Sequence, residues 1–177
     1  MPVDDLTILA LRAKAGDRQA LDRFVADSRG DVHRLCSYLG RPADPDDLTQ
    51  ETFERALHSL HRYRGDGPAR SWLLSIARRV CVDATRRRGR RQRLDDRLTR
   101  DATSEHRDHI WLEVTDALEV LDRDRYEAFV MTQFMGMSYA EAADALECAV
   151  GTIRSRVARA RMQLIDHLDS DEVDRSA

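Results

Sequence analysis

The sequence predicts an all-α fold: two small helical domains joined by a flexible linker. Three observations carry that prediction. Apolar residues recur at three- and four-residue spacing nearly throughout, and no run alternates as a strand does. The 177 residues include only 8 Gly and 4 Pro, most of them between the periodic segments. Residues 88–108 are rich in Arg and Asp and almost devoid of apolar side chains, which reads as a linker. On this reading residues 1–87 form one domain and 109–168 a second, while 169–177 form an acidic disordered tail.

Each element has start and stop signals. Residues 5–15 form a short helix with Leu6, Leu9, Ala10 and Ala13 on one side. Gly16 ends it and Asp17 caps the next. Residues 18–39 place Leu21, Phe24, Val25, Val32, Leu35, Cys36 and Leu39 at helical spacing, with a break expected near Gly30. Gly40 and Pro42 stop that helix. Asp44 then suits an N-cap, Pro45 the first helical position, and Asp46 and Asp47 the positive end of the helix dipole. This helix runs to about Leu60. His61–Arg70, with Gly65, Gly67 and Pro68, is a loop. Ser71 or a neighbour opens a helix to about Arg87, turning Leu73, Leu74, Ala77, Val80, Cys81 and Ala84 inward. Fully extended, the linker could span up to ~70 Å at ~3.3 Å per residue. Beyond it come helices over 109–121 and 123–135, the latter capped by Asp122 and ended by Gly136. Ser138-x-x-Glu141 is a capping box that opens a short helix, Tyr139–Leu146. The turn Glu147-Cys148-Ala149 leads into a last helix from Val150 to about Leu168.

Charge and composition narrow the function. All but one of the 29 basic residues are Arg, the exception being Lys14. Arginine grips phosphate and base edges in a planar fork, although a GC-rich genome explains the bias equally well. The net charge of −3 conceals alternating blocks. Residues 62–100 carry 13 basic against 4 acidic groups, 101–149 carry 3 against 12, and 150–165 carry 4 against 0. Such blocks suit several charged partners on separate surfaces, whereas a plain nucleic-acid binder would be basic overall. Cys36, Cys81 and Cys148 are scattered and lack metal-ligand spacing, so they read as small core residues, and no metal or other cofactor is implied. The absence of a signal peptide or long apolar run leads us to expect a cytoplasmic protein. There is no Gly-rich phosphate loop, GxSxG or HExxH, which argues against an enzyme.

Three segments carry chemistry. Residues 138–165 follow the helix-turn-helix pattern. Ala142, Ala143 and Ala145 allow a close helix crossing, and Val150, Ile153, Val157, Ala160 and Leu164 form a buried stripe. The other face of the last helix holds Thr152, Arg154, Ser155, Arg156, Arg159 and Arg161, with no acid before Asp166. Thr152, Arg154 and Ser155 lie early in the helix, where a recognition helix meets base edges. Residues 70–93 form a second basic element, with Arg78, Arg79, Arg86, Arg87 and Arg88 beside Tyr63 and Trp72. Cations with aromatics suit opened DNA, though Trp72 could equally be core. The helix 46–60 exposes Asp46, Asp47, Glu51 and Glu54, which suits a basic protein surface or simply water.

These segments resemble the extracytoplasmic-function (ECF) class of bacterial sigma factors. Asp47-Leu48-Thr49-Gln50-Glu51-Thr52-Phe53 is similar to the family's region 2.2 signature. Arg70-Ser71-Trp72-Leu73-Leu74-Ser75-Ile76-Ala77-Arg78-Arg79, with Asp83 and Arg86, resembles regions 2.3–2.4. Ser138–Ala143 and Val150–Arg161 resemble region 4.2. The resemblance implies a non-catalytic specificity subunit that binds the β and β′ subunits of core RNA polymerase and recognises −35 and −10 promoter elements. It assigns Asp47, Gln50, Glu51 and Glu54 to core polymerase. It assigns His61, Arg62, Tyr63, Arg64, Asp66, Trp72, Arg78, Arg79 and Arg86 to the −10 element, and Thr152, Arg154, Ser155 and Arg159 to the −35 element. It also implies a linker directed toward the polymerase cleft, and the family often pairs with an anti-sigma factor. The chain departs from the family at Arg79, where Asn is frequent, at Glu147, where Gly is frequent, and at Ala158, where some members carry a larger side chain. The rival readings are a stand-alone helix-turn-helix regulator, which would bind duplex DNA without polymerase, a decoy that only sequesters a regulator, and a nucleic-acid enzyme, which a nuclease assay with Mg²⁺ would expose.

Overall fold

A computed structural model describes residues 4–95, 118 and 120–175 of the chain. The described residues contain helices and turns and no strand. The chain divides into two compact units, Met1–Asp101 and Ala102–Ala177.

Among its described residues, the first unit contains four α-helices. Helix α1 spans Asp5–Lys14, and its N-cap Asp4 accepts from the Thr7 amide at 2.9 Å. Gly16, at φ +97°, turns the chain, and Asp17 caps α2 by accepting from the Ala20 amide at 3.0 Å. Helix α2 spans Arg18–Leu39 without interruption, so the break expected at Gly30 is absent. Phe24, Val32, Leu35 and Cys36 are fully buried on either side of that glycine. Their packing outweighs the ~1 kcal/mol a mid-helix glycine costs. The chain turns closely at Gly40, where a Cβ would lie 2.1 Å from Leu48 Cδ1. Helix α3 spans Pro45–Ser59 with Asp44 as its cap. A 3-10 turn, Leu60–Arg62, leads into the loop. Helix α4 spans Ala69–Asp95 and continues past its expected end at Arg87 into the segment read as linker. Arg and Gln are good helix formers, and Gly89 alone is too small a penalty to stop it. Leu73, Leu74, Ala77, Val80 and Cys81 line its buried face.

In the second unit, Leu118 and Leu121 are buried against Ala160, with Tyr126, Phe129, Phe134 and Leu164 packed around them. The remainder of the helix expected at 109–121, and of the linker beyond Asp95, lies outside the described residues. Helix α5 spans Arg123–Phe129, capped by Asp122, and passes into a π turn, Val130–Phe134. Gly136, at φ +65°, reverses the chain. Helix α6 spans Tyr139–Leu146, and both hydrogen bonds of the Ser138–Glu141 capping box are present. Helix α7 spans Val150–Arg175. It thus runs through residues 169–175, which were expected to be disordered, because no Gly or Pro follows Gly151 to stop it.

Candidate nucleic-acid interface

Helix α7 buries Ile153, Val157 and Ala160 within the second unit. At about 100° per residue, Ser155 falls near the centre of the opposite face, flanked by Arg154 and Arg159. All three are exposed, while Thr152 is half-buried and its carbonyl accepts from Ser155 Oγ at 2.9 Å. Two further arginines of the helix turn back toward the protein. Arg156 pairs with Asp124 at the start of α5, and Arg161 Nη2 donates to Gln133 Oε1 at 2.6 Å. The arginine face that looks uniform in sequence is therefore divided. One set orients the helix, and Arg154 with Arg159 projects from it. The αL cap between α6 and α7 is Glu147, at φ 54° and ψ 45°. This conformation costs a residue with a Cβ roughly 1 kcal/mol relative to Gly.

In the first unit, Trp72, Arg79 and Arg86 recur every seven residues along α4, so they share one face. Arg78 lies well to the side of them and is half-buried. Arg79, Arg86, Arg88 and Arg90 are exposed. Before α4, the loop presents His61, Arg62, Arg64 and Asp66 to solvent. His61 Nδ1 is 2.9 Å from the His58 carbonyl and its Nε2 accepts from Arg62 Nε at 3.2 Å. Tyr63, placed by the resemblance among the DNA-contacting residues, is only 6% exposed. Its hydroxyl donates to the Gly67 carbonyl at 2.5 Å, and its ring lies 5.0 Å from that of Trp72, tilted by 35°. Burial pushes its phenol above the ordinary tyrosine range. Tyr63 therefore shapes the loop from within.

Across α3, Asp47, Gln50 and Glu54 form an exposed stripe that Leu57, 40% exposed, continues. Gln50 Nε2 donates to Glu54 Oε1 at 3.0 Å. Glu51 turns to the side of this stripe and is half-buried. It accepts from Arg55 Nη2 at 2.6 Å and from Arg87 Nη2 at 3.0 Å. Arg55 Nη1 also donates to Asp83 Oδ2 at 2.8 Å. That hydrogen bond holds the Asp83 carboxyl below the usual carboxylate range and raises the Arg55 guanidinium. Glu51, Arg55, Asp83 and Arg87 thus tie α3 to α4.

The loop also has supports in α1 that no local pattern signals. Lys14 Nζ donates to the Tyr63 carbonyl at 2.7 Å, and the Ala69 amide donates to Thr7 Oγ1 at 2.8 Å. Among the described residues, no group of three or more His, Cys, Asp or Glu is placed to hold a metal ion. Cys36 and Cys81 are buried thiols and Cys148 is half-buried. No described helix is long and apolar enough to cross a membrane.

A helix-turn-helix unit and a second helical unit with a basic face beside an exposed acidic helix define a promoter-reading factor of the sigma-70 type. Residues 24–91 match the family described as Sigma-70 region 2, and 111–164 that described as Sigma-70, region 4. The chain is 41% identical to the ECF RNA polymerase sigma factor SigC of Mycobacterium tuberculosis, over 95% of this chain and 94% of that protein. It is 33% identical to the RNA polymerase sigma factor CnrH of Cupriavidus metallidurans, over 96% and 97% respectively. Its fold is similar to that of CnrH solved in complex with the cytosolic domain of CnrY. That match has a TM-score of 0.75 and 32% identity, covering 95% of this chain and 99% of the other. It is also similar to the sigma factor RpoE solved with the anti-sigma factor NepR from Bartonella quintana. There the TM-score is 0.74 and the identity 26%, covering 85% and 98%. The chain belongs to the ECF sigma factors of the sigma-70 family, which direct promoter-specific transcription initiation by RNA polymerase.

Proposed function

We propose that this sigma factor holds core polymerase and promoter through three separate surfaces. The exposed stripe Asp47, Gln50 and Glu54 docks on the basic clamp of the polymerase β′ subunit, with Glu51 orienting Arg55 and Arg87 beside it. The loop residues His61, Arg62, Arg64 and Asp66 accept an unpaired −10 base, and Trp72, Arg79 and Arg86 follow the strand along α4. Arg154, Ser155 and Arg159 read the −35 element in the major groove, with Thr152 near the backbone. The factor carries no catalytic site of its own and works in the cytoplasm. Melting follows from differential affinity, because a loop that binds a flipped base better than a stacked one shifts the equilibrium toward open DNA.

The carrying observation is the division of the α7 arginines. Arg156 and Arg161 are engaged by Asp124 and Gln133, whereas Arg154 and Arg159 are exposed and lie outside the buried stripe. The experiment is transcription in vitro with core polymerase and the full chain. Arg154→Ala and Arg159→Ala should lower promoter-specific starts without lowering capture of core, and Asp47→Lys should lower capture itself. A folded wild-type chain that directs no promoter-specific start with active core would refute the proposal.

We also propose that an anti-sigma protein holds this factor inactive; RpoE is solved in complex with the anti-sigma factor NepR, and CnrH in complex with the cytosolic domain of CnrY. Tagged protein recovered from its own cells should bring down either polymerase subunits or a small regulator. Recovery of polymerase alone under all growth conditions would count against the regulator.

A further inference from the structure

One face of α1 is devoted to the loop between α3 and α4. Thr7, Leu11 and Lys14 follow one another at helical spacing of four and three residues, so they share a stripe. Each meets the loop at a different point. At its entry, Lys14 Nζ donates to the Tyr63 carbonyl at 2.7 Å. At its apex, Leu11 fills the space beside Gly65, which sits at φ +80°; a Cβ there would lie 3.3 Å from Leu11 Cδ2. At its exit, Thr7 Oγ1 accepts from the Ala69 amide at 2.8 Å. That amide is one of the N-terminal donors of α4 that the helix itself cannot satisfy. Thr7 is 3% exposed, and its hydroxyl donates in turn to Asp4 Oδ2 at 2.8 Å. The cap of α1 and the start of α4 are therefore joined through one side chain. All three contacts address the loop's backbone or a glycine and leave the side chains of His61, Arg62, Arg64 and Asp66 exposed.

We propose that α1 is a strut that pre-organises this loop, with Thr7 and Lys14 as positioning residues for promoter opening. A loop ordered in the folded protein loses less conformational entropy when it takes up a base. The inference rests on the assignment of the loop to −10 capture.

The test uses holoenzyme assembled from core polymerase and the full chain. The probe is the single-stranded non-template −10 oligonucleotide of the strongest promoter that wild-type holoenzyme selects from a random library. Thr7→Val keeps the shape and removes the hydroxyl, and Thr7→Ser restores it. Lys14→Met keeps the stem and removes the donor. Thr7→Val should weaken oligonucleotide binding about tenfold, as expected for one buried donor left without its acceptor. Lys14→Met should weaken it about threefold, since its bond is only partly buried. Thr7→Ser should recover most of the loss, and affinity for core polymerase should be unchanged in all three. Arg62→Ala and Arg64→Ala test the loop assignment separately. If they weaken binding while Lys14→Met and a folded Thr7→Val do not, the strut is overturned and the loop assignment stands. If they have no effect, the loop assignment falls and the strut with it. Should Thr7→Val fail to fold, Lys14→Met decides alone. A matching loss of core affinity in Lys14→Met would also overturn the strut, because α1 would then only hold the unit together.

Discussion

Ile153 and Arg154 are neighbours in sequence with opposite roles, and exchanging each for Ala separates stability from reading. Ile153 is 0% exposed in the stripe that joins α7 to the second unit. Truncating a buried Ile to Ala costs about 2–5 kcal/mol. A unit of this size, Ala102–Ala177, holds only about 4–11 kcal/mol in total, at ~0.05–0.15 kcal/mol per residue. Each kcal/mol moves the Tm of such a unit by about 4–8 °C, so Ile153→Ala should lower it by at least about 8 °C or abolish its transition. Arg154 is exposed on the other side. Its loss should leave the Tm within about 4 °C, because surface changes away from special features stay within ~0.5 kcal/mol. Should it grip a guanine, Arg154→Ala removes about 1–3 kcal/mol of base discrimination, roughly 5- to 150-fold in affinity for the −35 element. Calorimetry of the full chain, in which two units can melt separately, gives the first quantity, and binding of the holoenzyme to a −35 duplex gives the second. A Tm drop below about 4 °C for Ile153→Ala, or an equal drop for Arg154→Ala, would refute the assignment of inside and outside on this helix.

Three further outcomes are expected. Gly40→Ala should destabilise the first unit by about 1–3 kcal/mol in a denaturant titration, because its Cβ would collide with Leu48 Cδ1 at 2.1 Å and with the Cys36 carbonyl at 2.6 Å. Glu147→Gly should stabilise the second unit by up to about 1 kcal/mol, and Glu147→Val should destabilise it by about 1–2 kcal/mol, since the left-handed backbone there penalises a Cβ and most of all a branched one. Thermal melts of the two variants moving in the same direction would contradict this. The third concerns acid. Asp83 is held below its ordinary pKa by Arg55, so its contribution is fully present above the unfolded value of about 3.9 and is lost as pH falls through the lower folded value. Asp83→Asn should therefore lower stability slightly at neutral pH and flatten the acid limb below about pH 5. An acid titration by circular dichroism that is identical in the two proteins would show the bond contributes nothing.

Much of this fold was legible in the sequence because its signals are local. The caps Asp17, Asp44 and Asp122, the Ser138–Glu141 box and the turn at Gly136 act within four residues of themselves, and they are where the pattern puts them. The buried stripe of α7 follows from the helical period alone. The three signatures, in order, also pointed to the family. Other features could not be read this way. The continuity of α2 through Gly30 and of α4 past Arg87 is not legible locally, because propensity is a weak prior that packing and neighbouring helix formers override. The arginines of α7 are chemically identical in sequence. Arg156 is held by Asp124, 32 residues away, and Arg161 by Gln133, 28 residues away. Glu51 looks like its exposed neighbours until α4 brings Arg87 to it from 36 residues on. Tyr63 looks like a base-stacking side chain until Trp72 and the Gly67 carbonyl close around it. Thr7 has no signal at all, because its partner is an amide 62 residues later. The sequence by itself determined where most of the described helices begin and which stripe α7 buries, since both depend on neighbours three and four residues apart. Only the tertiary structure decided which charged and polar side chains remain for DNA and polymerase, because a long side chain's partner is set by the helix packed beside it.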